Sequence, residues 1–509
     1  MEPRDGRQEA ARACWPQGKG GHESKACREA ASSKAASREA EDAVTSIKSA
    51  LDRAAHHAQA YLSTLDSGAV APTASRQELL TRFDVPLTPE GVAADVVIDE
   101  LAAAVEGGLV GSGSGRFFAW VIGGALPSAV ATEWLMSAWD QNAAIYATSP
   151  VSSVVEEVAG KWLLDVMRLP PDASFGFTTG CQTAHFTALS AARDHLLRQR
   201  GWDVAAQGLA GSEPIRVFAT PLHHVSLDRA LRFLGIGSRQ LHVLPVDSDG
   251  RLEPATLDAA LSDGSGPTIV ALNAADLNIG AFDPFTTLVP LAHRHGAWVH
   301  VDGAFGLFAR ASSRFDAVTE GMDLADSWAT DCHKWLNVPQ DCGFVAVKHR
   351  EAHLRGLTIR DSYFVAEDAA RDQIDWNPEW SRRARGFPVY AALRELGRTG
   401  LSALVERCVA LCGLIVDGIG ALPGADIVCR PTLNQGLVRF LAPDPGATPE
   451  DHDARTDEVI ARINRSGEAM FGGVAWHGRR AMRVSVVNWR TTTADVDRTV
   501  AAVMRALDD

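Results

Sequence analysis

The hydrophobic pattern of the chain begins near residue 45. Residues 1–45 contain few large apolar side chains. A segment of that composition buries too little apolar surface to offset its ordering entropy, so we expect a disordered tail. From there Val44, Ile47 and Leu51 recur every three to four residues. This spacing predicts a helical segment over residues 46–117.

The central region, residues 118–390, alternates short apolar runs with helical stretches such as 183–199 and 286–295. Alternating strands and helices predict a large α/β domain, in which a mostly parallel sheet carries helices on both faces. Ligands of such sheets bind at the carboxyl ends of the strands, so the residues just after each strand are the first candidates for a site. The predicted buried strands are 215–220, 241–246, 268–272, 297–302 and 343–348.

The pattern changes after about residue 390. Longer helices are predicted at 402–421 and 450–469, and strands at 436–441 and 482–487. We interpret residues 391–509 as a smaller α+β domain.

Composition and charge exclude several classes of protein. Hydrophobic residues make up 46% and charged residues 22% of the 509 residues, as in an ordinary globular protein. The formal charge of −14 argues against nucleic acid or a membrane as a partner. The charge-free stretch 117–132 is too short to span a bilayer, and the start of the chain has no apolar signal region. The eight cysteines form no CxxC pair, so we expect a reduced, cytoplasmic protein without a metal site.

The strongest local signal for chemistry is Lys334, between His333 and Trp335. A lysine among aromatic and small residues is partly desolvated, which lowers its pKa and provides a neutral amine for Schiff-base chemistry. The alternative is a surface lysine on a helix or turn.

Three further features lie near predicted strand ends. Asp302 ends an apolar strand, where it either pairs with a cationic ring nitrogen, binds a metal or caps the next helix. The turn before helix 183–199 contains Gly180 and offers backbone N–H groups to an anion, or is simply a cap. The pair His223 and His224 either packs or stacks on a flat ligand. Together with Lys334, the set suits a phosphorylated aromatic cofactor that carries an aldehyde.

The segment His333-Lys334-Trp335, followed by Pro339-Gln-Asp-Cys-Gly343, resembles the motif of the group II pyridoxal-phosphate-dependent decarboxylases. That family includes aromatic amino acid, glutamate, histidine and diaminobutyrate decarboxylases, and the resemblance extends from about Ala43 to the end. It implies pyridoxal 5'-phosphate as the cofactor and the fold type I (aspartate aminotransferase-like) architecture. It also implies a homodimer with active sites at the interface, in which segment 46–117 packs on the partner subunit.

The resemblance also assigns roles to individual residues. Lys334 matches the Schiff-base lysine, Asp302 the acid that pairs with the pyridine nitrogen, and His224 the histidine that stacks on the ring. Tyr363 lies where the family carries the tyrosine of a mobile loop that reprotonates the α-carbon. Further cofactor-binding positions implied by the resemblance or its neighbourhood are Gly180, Cys181, Gln182, Asp276, Ala304, Thr330 and His333.

Several positions depart from the family pattern. Cys181 and Gln182 replace residues of the usual phosphate turn, so we expect the backbone and the Gln182 amide to hold the phosphate. Asp276 adds a carboxylate that could repel an acidic substrate, bind a cationic one or raise the pKa of His224. In the substrate pocket Trp120 matches an aromatic residue. Asn142 and Ala144 replace bulky apolar residues that come from the partner subunit.

The sequence therefore predicts decarboxylation of an L-amino acid to its amine and CO2, through a Schiff base on Lys334 and a quinonoid intermediate. A neutral aromatic or cationic substrate is favoured over an acidic one. The alternatives are transamination or decarboxylation-coupled oxidative deamination on the same fold, and a non-catalytic partner protein. Tyr363 favours simple decarboxylation, because phenylalanine at that position goes with the oxidative relatives.

Overall fold

The computed structural model describes residues 25–359 and 370–508, which fall into two compact units. The first unit contains residues up to 63 and residues 74–108, and the second contains residues 64–73 and everything from 109 onward. The division places most of the predicted N-terminal helical segment in the first unit.

The first unit is helical: α1 (Lys25–Thr64), α2 (Arg76–Phe83) and α3 (Ala94–Ala104). Arg53 on α1 donates to Asp99 on α3 at 2.7 Å. Residues 25–45, which the sequence assigns to a tail, form the first half of α1, and residues 1–24 lie outside the described residues. The packing of this segment on a partner subunit stays a prediction.

A seven-stranded sheet forms the core of the second unit, in the order β1-β7-β6-β5-β4-β2-β3. The pairs β6–β5, β5–β4, β4–β2 and β2–β3 are parallel, and β7 runs antiparallel to both of its neighbours. The predicted mostly parallel α/β sheet is therefore confirmed. The strands are β1 (Ser174–Thr178), β2 (Arg216–Ala219), β3 (Leu241–Val243), β4 (Thr268–Asn273), β5 (Trp298–Asp302), β6 (Ser327–Asp331) and β7 (Gly343–Val347).

Two strands of this sheet, β1 and β6, are absent from the sequence prediction. Both are fully buried but carry polar residues, which hide the apolar run that marks a buried strand. Their polar groups are satisfied inside the core: Ser174 donates to the carbonyl of Val347, and the Ser327 hydroxyl accepts from the Trp298 indole. Hydrogen bonding thus makes a polar strand compatible with burial.

Helices cover the large sheet. Helix α6 begins at Cys181 and packs on β6 and β7. The helices before the small domain are α4 (Pro127–Trp139), α5 (Pro150–Val166), α6 (Cys181–Arg198), α7 (Val204–Gln207), α8 (Val225–Phe233), α9 (Pro254–Ser262), α10 (Phe285–Arg294), α11 (Asp316–Thr319) and α12 (Arg350–Leu357).

The C-terminal part holds a four-stranded sheet in the order β10-β11-β9-β8, antiparallel throughout. Helix α13 is interrupted at Gly397, whose φ of 61° lies in the left-handed region. By length and composition α13 could cross a membrane, but half of its most apolar stretch is buried within the structure. The elements are α13 (Gly386–Gly420), β8 (Ala425–Cys429), β9 (Gln435–Phe440), α14 (Pro449–Ser466), β10 (Gly472–Trp476), β11 (Arg479–Ser485) and α15 (Thr493–Asp508).

The fold brings three polar residues to one edge of the large sheet. Asn273, Asp302 and Asp331 are the last residues of β4, β5 and β6. Because these strands are parallel neighbours, their carboxyl ends lie side by side, and Asn273 is in register with Asp302. This edge is where the alternation of strands and helices predicts a ligand.

Candidate active site

A cavity of about 250 Å³ opens at this edge of the sheet. Its size suits a small ligand, since drug-sized sites occupy roughly 300–1,000 Å³. Four residues to which the sequence assigns cofactor chemistry, Lys334, Asp302, His224 and Asp276, all line it. The full lining is Trp120, Val121, Leu222, His224, Asn273, Ala275, Asp276, Leu277, Asp302, Ala304, Phe305, Lys334 and Arg483.

Asp302 lies at the buried end of the cavity. One carboxylate oxygen accepts from the Ala304 backbone N–H at 3.1 Å, and the other lies 3.4 Å from Nε2 of His185. Burial alone would raise the pKa of Asp302, but the nearby His185 and Lys334 outweigh it and hold that pKa well below the ordinary value. The carboxylate is therefore a permanent negative charge, suited to a cationic ring nitrogen.

Behind Asp302 stands a buried chain of hydrogen bonds. Nδ1 of His185 lies 2.8 Å from Nε2 of His300, and Nδ1 of His300 lies 2.9 Å from the hydroxyl of Ser327. Burial lowers the pKa of His300 to about 3, so its ring is neutral. The chain fixes the orientation of the His185 ring against Asp302.

Lys334 forms an ion pair with Asp331, at 2.9 Å between Nζ and Oδ2. Burial lowers the pKa of Lys334, as the sequence predicts, but the Asp331 carboxylate outweighs burial, and the net pKa lies above its ordinary value. The sequence-based prediction includes the burial of Lys334 but not the carboxylate three residues earlier, which opposes the expected fall in pKa. Next to Asp331 the protonated, ammonium form of Lys334 is favoured.

His224 occupies the N-cap of α8, where its ring accepts from the Ser226 backbone N–H. Burial lowers the pKa of His224, so the ring is neutral near pH 7. Of the three roles that the sequence leaves open for Asp276, a raised pKa of His224 finds no support, because burial lowers that pKa. The oxygens of Asp276 accept from the backbone N–H groups of its own turn. Those groups belong to Asn278, Ile279 and Ala281.

The predicted phosphate turn forms the start of α6, with Gly180 as its N-cap. The Cys181 backbone N–H donates to Oδ1 of Asp331 at 2.6 Å, so a carboxylate already engages one of the groups expected to hold an anion. The Gln182 amide oxygen accepts from Arg229 at 3.3 Å. The first hydrogen bond of the helix runs from the Ala184 N–H to the Gly180 carbonyl. The N–H groups of Gln182 and Thr183 come before it and are not used by the helix itself.

The remaining predicted cofactor positions surround the same edge. Ala304 lines the cavity, and Nδ1 of His333 accepts from the Cys342 backbone N–H at 3.3 Å. Thr330 is buried in β6, where its hydroxyl donates to the Ala304 carbonyl at 3.4 Å and does not line the cavity. The observed contact of Thr330 is thus with the backbone below the site, and its contact with the cofactor stays a prediction.

The predicted substrate positions separate into two groups. Trp120 lines the cavity and is 53% exposed, with φ of 52°. A non-glycine residue in this backbone region is uncommon, and such residues are enriched at functional sites. Asn142 accepts from the Arg382 backbone N–H, and Ala144 is buried, so neither lines the cavity of its own chain. Their contribution to a partner's site stays a prediction, and Tyr363 lies outside the described residues.

Sequence reasoning missed three residues of the site. Asp331 stands three positions before Lys334, a spacing that puts both side chains on one side of a turn. His185 lies in the predicted helix 183–199, where no motif marks it. Arg483 belongs to the predicted small domain, yet its side chain lines the cavity of the large one, and sequence distance gives no signal of that approach.

The residues present fit pyridoxal 5'-phosphate. A buried anion faces the place for a ring nitrogen, an amine and a neutral imidazole line the same small cavity, and the small side chain of Ala304 leaves room for a flat ring. The N-terminus of the 18-residue helix α6 lies at the same edge and favours an anion. Fold and site together define a pyridoxal-phosphate-dependent enzyme of the α/β class.

Comparison with known proteins identifies the family. The model of the pyridoxal-dependent decarboxylase conserved domain matches residues 77–442, so the chain belongs to this family. The predicted enzyme class, a pyridoxal-phosphate-dependent amino acid decarboxylase, and its cofactor are confirmed.

Individual relatives differ in substrate. L-2,4-diaminobutyrate decarboxylase of Rhizobium meliloti is 28% identical over 74% of this chain and 74% of its own length. Tryptophan decarboxylase 1 of Oryza sativa is 27% identical over 86% and 89%. Among solved structures, Oryza sativa TDC with PLP and tryptamine has a TM-score of 0.85 at 23% identity, covering 91% of this chain and 97% of that one. Mouse CSAD has a TM-score of 0.83 at 23% identity, covering 91% and 98%.

Proposed function

We propose that this enzyme decarboxylates an L-amino acid with a neutral aromatic or cationic side chain, releasing CO2 and the corresponding amine. The observation that carries the proposal is the convergence of Lys334, Asp302, His224 and Arg483 on one small cavity. Bound pyridoxal phosphate supplies an electron sink for the bond to the departing carboxylate. The protein's own groups decide what binds and which proton moves.

Asp302 and His224 hold the ring of the cofactor in this proposal. The permanent charge of Asp302 keeps a ring nitrogen protonated, and the His185–His300–Ser327 chain keeps the surroundings of that charge fixed. The neutral ring of His224 stands at the cavity wall, where it stacks on the ring or passes a proton. Tyr363, predicted to deliver the proton to the α-carbon, remains part of the proposal on sequence grounds.

Lys334 supplies the amine that links to the cofactor's aldehyde. Since the ammonium is paired with Asp331, it must lose its proton before it can act as a nucleophile. Asp331 is therefore the residue that controls how readily Lys334 becomes neutral.

Arg483 is proposed to bind the carboxylate of the substrate. It is only 7% exposed, its Nε has no hydrogen-bond partner, and burial lowers its pKa to about 10, so it remains charged at pH 7. A buried guanidinium that lines a cavity and has an unpartnered N–H suits a carboxylate ligand. With Lys334 committed to the cofactor, Arg483 is the cation left for the substrate among the residues lining this cavity.

The rest of the cavity wall favours a side chain without negative charge. Trp120, Val121, Leu222 and Phe305 present apolar surface. Asp276 is the additional carboxylate on the wall; burial raises its pKa, and the backbone N–H groups of its own turn oppose that rise. In its charged form it repels an acidic side chain and tolerates a cationic one. These features support an aromatic or cationic substrate over an acidic one.

We further propose a homodimer in which each subunit completes the other's site. Five large apolar residues on α4 and α5 are about half exposed. Neighbouring exposed apolar residues of this size mark interaction surfaces. The segment between these helices carries Asn142 and Ala144, the two pocket residues predicted to come from the partner. The five residues are Trp134, Leu135, Trp139, Val151 and Val154.

The substrate is tested by product analysis with L-tryptophan, L-2,4-diaminobutyrate and L-cysteine sulfinate, with CO2, amine, aldehyde and peroxide measured together. The proposal predicts CO2 and amine in equal amounts from one of the first two substrates. If aldehyde and peroxide form instead, the reaction is oxidative deamination. If the amino group is transferred without release of CO2, the reaction is transamination. Turnover of cysteine sulfinate alone would overturn the proposed role of Asp276.

The dimer is tested by light scattering of wild type and of Trp134→Glu. The expected result is a dimer for the wild type and a monomer with lost turnover for the variant. Gln207→Glu, on the short helix α7, serves as a matched surface control that leaves the dimer intact. A wild-type monomer that decarboxylates would contradict the shared site.

A further inference from the structure

Three metal-binding side chains converge at the buried end of the cavity. Sγ of Cys181 lies 3.4 Å from Nε2 of His185 and 3.9 Å from Oδ1 of Asp302, and Nε2 of His185 lies 3.4 Å from Oδ2 of Asp302. Their ligand atoms all lie within 4.8 Å of one another. The sequence predicts no metal site here, because the three residues come from two elements that lie more than a hundred positions apart.

Two of these separations, from Nε2 of His185 to the sulfur and to Oδ2 of Asp302, match those of a tetrahedral site. With bonds of about 2.3 Å to sulfur and about 2.0–2.1 Å to nitrogen and oxygen, tetrahedral ligands stand roughly 3.3–3.6 Å apart. The two distances to Asp302 run to different oxygens, 3.9 Å from Oδ1 to the sulfur and 3.4 Å from Oδ2 to the imidazole, so one oxygen serves the site together with both partners only after the carboxylate turns. The set of one thiolate, one imidazole and one carboxylate is borderline-soft, as zinc and cobalt prefer.

The surroundings of His185 add an independent observation. Its second ring nitrogen is held by His300, which is held in turn by Ser327, and Ser327 accepts from Trp298. Histidines that bind metals are usually oriented by such a partner on the other nitrogen. The ring therefore needs no reorientation to present Nε2 to an ion.

We propose that the cofactor-free enzyme binds one divalent ion of the zinc class through Cys181, His185 and Asp302, and that this ion and the cofactor exclude each other. The Cys181 thiol releases its proton to solvent as it binds the ion. Of the three ligands, Asp302 lines the cavity. Since Asp302 cannot serve a metal and a ring nitrogen together, the ion keeps the enzyme inactive until it is removed. The exclusion rests on the proposed function, which assigns Asp302 to the cofactor.

The test uses cobalt as a spectroscopic probe on the full-length, cofactor-free protein. One equivalent of Co²⁺ is expected to give intense visible bands of tetrahedral cobalt and a near-ultraviolet thiolate-to-cobalt band, and one equivalent of Zn²⁺ to remove both. Pyridoxal phosphate should abolish the bands. In return, zinc at about 100 times its own dissociation constant should weaken cofactor binding about 100-fold.

Variants locate the site. Cys181→Ala and His185→Asn are expected to lose the thiolate band, with folding checked by circular dichroism. Cys412→Ala removes another buried thiol, from α13, and should keep the spectrum. His293→Asn removes the histidine of a second imidazole–carboxylate group, at the other edge of the sheet, and should also keep it.

A second measurement needs no variant. X-ray absorption of the stoichiometric zinc complex should show one sulfur at about 2.3 Å and nitrogen or oxygen at about 2.0 Å. Zinc without sulfur, or cobalt and cofactor bound at once, would overturn the metal site. The proposed function would stand in either case if the cofactor-loaded enzyme releases CO2, and would fail separately if that enzyme releases none.

Discussion

Strand β6 has a buried aspartate at each end, and the two acids are put to different uses. Asp326, just before the strand, is 6% exposed, and Asp331, its last residue, is 4% exposed. Asp326 is bound by His293 at 2.9 Å and His349 at 3.0 Å, while Asp331 is bound by Lys334 at 2.9 Å. Burial and ion pairing are alike at the two edges of the sheet.

What differs is the place of the paired base. Lys334 lines the cavity at the carboxyl edge, whereas His293 and His349 belong to the opposite edge, where Asp326 also accepts from the Val299 backbone N–H at 2.8 Å. A buried acid at the amino edge ties elements together, and one at the carboxyl edge controls a group that can react. The comparison teaches that the edge of a parallel sheet, and not burial, separates structural from functional acids.

The largest expected effect is that of Lys334→Ala. Loss of the amine removes the covalent link to the cofactor, and turnover should fall by on the order of 10³-fold or more, as for other covalent catalysts. Steady-state CO2 release measures it. Lys348→Ala, a lysine near Asp326, is the matched control and should keep turnover. Equal losses of turnover in the two variants would contradict the functional difference between the two edges of the sheet.

Next in size is the pair Asp302→Asn and Asp326→Asn. The first removes the charge that faces the ring nitrogen and should lower kcat by about 10²–10⁴-fold. The second should leave kcat within a few-fold but cost about 1–3 kcal/mol of stability, because it strands hydrogen-bonded groups. Turnover and urea unfolding of both variants check this. A large kcat loss in Asp326→Asn with intact folding would contradict the structural role of that edge.

Asp331→Asn sharpens the comparison through pH. The Asp331 charge raises the pKa of Lys334, so its removal lowers that pKa and leaves more neutral amine at neutral pH. Cofactor linkage in the variant should therefore be faster near pH 7, and its pH profile should move to lower pH. Stopped-flow absorbance of the reconstitution measures the shift. A profile that moves to higher pH would show that Asp331 does not hold the proton on Lys334.

The smallest effect concerns acid stability. Burial opposes the charge of Asp326, but hydrogen bonds from His293 and His349 outweigh it and lower the pKa from 3.8 to about 2. A depressed pKa contributes stability above pH 3.8 that is lost as pH falls through about 2, here about 2 kcal/mol. Unfolding of wild type and Asp326→Asn between pH 2 and 5 should converge at the acid end. Parallel curves would mean that the ion pairs contribute nothing.

Much of the carboxyl edge could be predicted from the sequence. The positions of Lys334, Asp302 and His224 follow from a motif and from predicted strand ends, and the structure places all three on one cavity. The parallel sheet follows from its alternating pattern, apart from the polar strands β1 and β6. The local sequence pattern is sufficient to predict a residue's role where that role depends only on its position at the end of a strand.

The electrostatics could not be predicted in the same way. The charge state of Lys334 depends on the geometry of the turn that carries Asp331, and Asp276 is turned to its own backbone N–H groups by a turn that no spacing reveals. Arg483 reaches the cavity from the small domain through tertiary packing. The charge state of Lys334 and the orientation of Asp276 depend on the direction in which side chains point. The position of Arg483 depends on how distant segments pack. Neither property can be derived from the local sequence.

The most direct test of the account is borohydride reduction of the pyridoxal-phosphate-loaded enzyme, followed by peptide mass mapping. The reduced cofactor is expected on the peptide that carries Lys334, and Lys334→Ala is expected to carry none. A cofactor attached to another lysine, such as Lys348, or to no lysine at all, would contradict the placement of the chemistry at the carboxyl edge of the sheet.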